Sequence, residues 1–209
     1  MSALRSFTWV SGRGQKSRPL RGGGDDAVAR EIELFRRQGA QDADAGDLPP
    51  EAAWSKKTIA AEVAAIVKRV RKEAKELAAE GGDFTDNAAE AAAALGQPKL
   101  RKRLDDAYWK SWAEVTARAL KRAREEARQA SVEQARDEML ELLDDTRIGA
   151  RPKHFAVMWR PVAKDAGAAL TKQALSDEGF DTLLPKLEEQ VRNANADQIL
   201  AYWNHVTHV

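Results

Sequence analysis

Three histidines, the aspartate pairs at 105–106 and 144–145 and a run of glycines are the first groups to weigh for metal, acid–base or phosphate chemistry in this chain of 209 residues. His205 and His208 are spaced i, i+3, so a helix would place both imidazoles on one side. Structural metal sites usually take four ligands, and these two stand alone at the C-terminal end, which favours surface residues. His154, between Lys153 and Phe155, has no carboxylate or hydroxyl beside it to form a dyad. Asp105-Asp106 and Asp144-Asp145 are sequence neighbours, so on a helix their members point to different sides and serve poorly as a joint acid and base. Gly22-Gly23-Gly24 lacks both the preceding strand and the GK[ST] ending of a phosphate loop. The chain has no cysteine, which excludes thiol nucleophiles, thiolate zinc sites and disulfides. The expectation is a protein that is not an enzyme, with no catalytic residue, metal, cofactor or small-molecule substrate.

Charge carries more information. Lys+Arg (34) nearly cancels Asp+Glu (33), so net charge says nothing about a polyanion partner and only the distribution can. In a helix expected over about 56–80, Lys68, Arg71, Lys72 and Lys75 follow i, i+3, i+4, i+7 and share one face. Ile59, Val63, Ile66, Val70 and Leu77 form the opposite, apolar stripe, while Glu62, Glu73, Glu76 and Glu80 gather on a flank. Over about 99–130 the pattern repeats. Lys99, Arg103, Lys110, Lys121, Arg124 and Arg128 fall within a narrow arc at about 100° per residue, with Asp106 intruding. That ridge is about 40 Å long, comparable to a turn of duplex nucleic acid. Arg13, Lys16, Arg18 and Arg21 add a basic arm that has no acid before Asp25.

The elements that must carry these residues are helical. Ala dominates the apolar content, and β-branched and aromatic residues are sparse. A short helix is expected at about 26–38, capped by Asp25 or Asp26, with Val28, Ile32 and Phe35 on one face and Gly39 ending it. An acidic linker with Pro49-Pro50 follows; Ser55 then caps the next helix, with Trp54 and Ile59 as its hydrophobic staple, and Gly81-Gly82 stop it. A small helix at about 86–95, capped by Thr85 or Asp86, closes at Gly96. In the stretch 99–146, Leu104, Tyr108, Trp112 and Val115 hold one face, but Val132, Ala135, Met139 and Leu142 lie nearly opposite. Together with the capping-box form of Ser131-Val132-Glu133-Gln134, this predicts a break near 130–131. The alternative is one helix that buries different faces. Residues 154–159 suit a helix or an isolated strand. Pro161 opens a helix to about 175, Asp181 caps one with Pro185 in its first turn, and Asn195 with Gln198 forms a capping box.

The fold expectation is an all-α, multi-helix bundle with a long central helical hairpin. It comprises a flexible basic arm (1–24), a main helical domain (25–149) and a small C-terminal helical subdomain (150–209). Neither a secretory signal nor a membrane-spanning run is legible, so the expected place is the cytoplasm or a particle assembled there. Trp9 in the arm and Trp109, off the main apolar face, are expected interface anchors; the other role open to Trp109 is a second-layer contact. The leading functional expectation is a non-enzymatic helical subunit of a nucleoprotein assembly, with other protein subunits as partners and DNA or RNA held through backbone phosphates. The plain alternative for the ridges is a solvated helix face. The stretch from Trp159-Arg160-Pro161-Val162 to Gly179-Phe180-Asp181 resembles helical regions of phage minor-head proteins, over a small part of the chain and without a diagnostic motif. That resemblance implies a structural part of a phage-like particle, of minor-head or connector type, that does not bind nucleic acid directly.

Overall fold

The computed structural model describes residues 24–44, 46, 48–79, 87–148 and 154–208, with the side chains of 77–79 left aside. The arm, with Trp9, Arg13, Lys16, Arg18 and Arg21, therefore lies outside the described residues. So do Gly81-Gly82, the Thr85 or Asp86 cap and the side chain of Leu77. Among the described residues the chain forms eight α-helices and one 3-10 turn, without a strand, so the all-α expectation is met. Contacts divide it into two compact units that part between Arg124 and Glu125.

In the first unit α1 spans Gly24–Asp44, longer than the 26–38 that Gly39 was expected to terminate. Gly39 sits inside the helix for a packing reason. A Cβ there would lie 2.2 Å from the Tyr108 carbonyl oxygen, so only glycine lets the two backbones approach so closely. Val28, Ile32, Phe35, Gly39 and Ala43 form the inward stripe. Asp42, assigned to a linker by sequence, is thereby helical and accepts a hydrogen bond from the Tyr108 hydroxyl at 2.8 Å.

The 3-10 turn Pro50–Trp54 precedes α2, Ile59–Ala79. Thr58, not Ser55, caps α2, its side chain accepting from the Ala61 N–H at 3.3 Å. Ser55 instead donates to Glu62 Oε2 at 2.6 Å. Trp54 is 65% exposed and so makes no staple. Helix α3, Asn87–Ala94, closes at Gly96 in a Schellman turn, with φ +65° and the Gln97 N–H bonded to the Ala92 carbonyl.

Helix α4 runs unbroken from Leu100 to Ile148, so the expected break near 130–131 does not form and the alternative, one helix burying different faces, holds. Ser131 donates its hydroxyl back to the Ala127 carbonyl at 2.9 Å, a bond made inside a continuing helix. The shift of apolar phase is a change of buried residues. In the first unit α4 buries Leu104, Tyr108, Trp112 and Leu120; in the second it buries Val132, Ala135, Met139 and Leu143.

The second unit thus joins the second half of α4 to residues of the expected 150–209 subdomain. Residues 155–158 are helical (α5, Phe155–Met158), and α6, Arg160–Asp165, stops short of 175 because Gly167 adopts φ +65°. Helix α7, Asp177–Asn193, begins earlier than expected. Ser176 caps it by accepting from the Gly179 N–H at 3.3 Å, which leaves Pro185 in the interior rather than in the first turn. The capping box of α8, Ala196–Thr207, forms as its sequence foretells, with both Asn195–Gln198 bonds at 3.0 Å. Trp159, Met139, Leu184, Leu187 and Ile199 fill the centre of this unit's core.

Candidate nucleic-acid interface

The cations singled out by spacing separate into two groups. Lys68 and Lys75 on α2, Lys99 in the turn before α4, and Arg103, Lys110 and Lys121 on α4 are exposed and make no ion pair among the described residues. The α4 members remain on one arc because the helix is continuous. Each keeps its charge at the surface, with the exposed carboxylate of Asp106 standing on the α4 arc between Arg103 and Lys110.

The others are committed within their own unit. Arg71 Nη2 bonds Asp105 Oδ2 at 2.7 Å, and its guanidinium lies 4.9 Å from the centre of the Trp109 ring. Arg124 donates to the Ala52 carbonyl at 3.3 Å and the Lys57 carbonyl at 2.8 Å, tying the segment around the 3-10 turn to α4. Arg128 pairs with Asp197 at 2.6 Å, and Lys72 with Glu76 at 3.2 Å on an exposed helix face. Arg124 and Arg128 therefore leave the free ridge. Their partners lie 72 and 69 residues away along the chain, where spacing within one helix gives no sign of them.

Trp109 is half-buried against the core of the first unit, with its indole N–H donated to Asp105 Oδ1 at 3.0 Å. It therefore makes a second-layer contact and keeps part of its surface exposed. It also lines a cleft of about 470 Å³ with Arg71 and Lys75 of α2 and Arg101, Lys102 and Asp105 of α4. The sequence reading missed Arg101 and Lys102. They lie off the ridge arc by about 140° and about 40° at about 100° per residue, so a search for one narrow stripe passes over them.

Beside the cleft, burial first and then the Asp42 carboxylate push the Tyr108 phenol well above its ordinary value. In the second unit Tyr202 donates to Asp165 Oδ2 at 2.5 Å, and burial followed by that bond pushes it up to about 12. His205 meets the Val157 carbonyl at 2.9 Å and His208 the Asn204 carbonyl at 2.8 Å, and no group of three metal-ligating side chains occurs among the described residues. No described helix is long and apolar enough to cross a membrane. No family model, curated protein or solved structure matches the chain.

Proposed function

We propose that the protein is a non-enzymatic helical subunit of a nucleoprotein assembly, held in the cytoplasm or in a particle formed there, that contacts nucleic-acid backbone through basic helix faces. The observation that carries this reading is the set Lys99, Arg103, Lys110 and Lys121, exposed, with the three α4 members on one arc, and free of ion pairs among the described residues. A row of uncompensated cations along a rigid rod suits phosphates, which supply affinity without base specificity. Changing all four to Gln should lower the slope of log Kobs against log salt on duplex nucleic acid by up to about 3.6, at about 0.9 per phosphate contact. Affinity and slope unchanged from the parent would reduce the row to a solvated face.

A second reading has its own support. Trp54 and Leu34 are 65% and 56% exposed, apolar surface of the kind that protein partners cover. On that reading the chain is a structural part of a phage-like particle that does not touch nucleic acid. Self-association on sizing, with no shift of DNA or RNA at low salt, would favour it.

A further inference from the structure

The cleft beside Trp109 belongs to neither ridge as spacing defines it, and its chemistry is more specific than theirs. Among the described residues that line it, Arg71, Lys75, Arg101 and Lys102 stand with one carboxylate, that of Asp105. That carboxylate is engaged already, by Arg71 and by the Trp109 indole N–H. Arg71 spends one Nη2 hydrogen on it and lies over the indole at 4.9 Å, while other guanidinium donors remain. Ala74, Ala88 and the indole supply apolar surface next to those donors. A volume of about 470 Å³ falls in the range of small-molecule sites and suits one nucleotide, not a stretch of duplex.

We propose that this cleft binds the phosphate of a single nucleotide unit, with Arg71, Lys75, Arg101 and Lys102 around the phosphoryl oxygens and the base against the apolar wall. For its ligand class the proposal rests on the nucleoprotein reading above. The shared chemistry is a nucleotide monophosphate, supplied either free in solution or by the phosphorylated end of a strand.

Calorimetry on the full chain tests it with adenosine 5′-monophosphate, adenosine, inorganic phosphate and a short single-stranded oligonucleotide with and without its 5′-phosphate. The nucleotide should bind saturably, one per chain, and adenosine at least about tenfold more weakly, since one charge-assisted hydrogen bond is worth that much. Arg101→Gln with Lys102→Gln, both at exposed positions, should weaken the nucleotide at least about tenfold while circular dichroism stays unchanged. Lys99→Gln with Lys110→Gln and Lys121→Gln should leave the nucleotide unaffected. Preference for the 5′-phosphorylated oligonucleotide over its unphosphorylated form marks a strand end as the source; equal binding of the two, beside saturable free nucleotide, marks the free compound. Absence of saturable nucleotide binding, or equal losses in the cleft and ridge variants, would overturn the proposal. If the nucleotide fails while the oligonucleotide still binds through the ridge, only the cleft is lost. If the oligonucleotide fails as well, the nucleoprotein reading goes with it.

Discussion

Replacing Gly39 with Ala sets two effects of known sign against each other. Inside a helix, Ala is favoured over Gly by about 1 kcal/mol, so propensity alone predicts a gain. The new Cβ, however, would stand 2.2 Å from the Tyr108 oxygen and 2.9 Å from its carbonyl carbon, both backbone atoms that cannot rotate away. To restore ordinary contact, α1 must retreat by about 1 Å, and overpacking of this kind costs about 1–3 kcal/mol. The same retreat stretches the 2.8 Å bond from the Tyr108 hydroxyl to the Asp42 carboxylate, a further loss of about 1.5–3 kcal/mol. The net expectation is destabilisation by about 2–4 kcal/mol, an increase of about thirtyfold to several-hundredfold in the opening of α1. Native-state hydrogen exchange over residues 28–43, read by mass spectrometry, measures it directly. Gly24→Ala is the control, because nothing lies within 4 Å of its Cβ. Exchange in Gly39→Ala no faster than in the parent would refute the reasoning, for propensity would then outweigh contact.

Three further outcomes are expected. The chain has two tyrosines, Tyr108 and Tyr202, both buried and both donating to carboxylates, so the native protein should show almost no phenolate absorbance at the ordinary tyrosine value of about 10, whereas the urea-unfolded chain should show it in full. Because the folded state raises both values, their contribution to stability is intact below about pH 10; that of Tyr202 is lost as pH climbs through about 12, which the difference between the parent and Tyr202→Phe in alkaline urea titrations isolates. Pro185→Ala restores a donor inside α7 at an exposed position and should raise the stability of the second unit by about 2 kcal/mol, checked by the urea midpoint; a fall would show that Pro185 shapes the helix it interrupts.

What spacing could reveal was whatever a helix decides by itself. The Asn195–Gln198 box, the inward stripe of α1 and the cap glycine Gly96 all formed because their partners lie within a turn or two. Gly39 was misread because its reason for being glycine is a carbonyl 69 positions further along the chain. A phase change at 130 looked like a break because sequence shows which residues are apolar, not that two different cores receive them. Asp181 suits a cap by its sequence, yet Ser176, five residues earlier, takes that place; Gly179 hides the start, since a Cβ there would lie 2.1 Å from the Gln173 oxygen. On the candidate surface, Lys68, Lys75, Lys99, Arg103, Lys110 and Lys121 are exposed and pair with no acid among the described residues. Arg71, Arg124 and Arg128 were placed on the right face but had long-range partners that no periodicity encodes.

Helix α4 has no acid in its first turn, where Arg101, Lys102 and Arg103 stand, while Glu141, Asp144 and Asp145 crowd its far end beside a lone Arg147. The peptide dipoles of any helix add up to a positive pole at its start and a negative pole at its finish, so this rod gathers at each pole the sign that the pole repels. Left alone, such a segment would be a poor helix, and burial along its length must supply what its own electrostatics withhold. Counter-ions that settle at either tip should therefore strengthen it, the reverse of how salt treats a protein held by surface ion pairs.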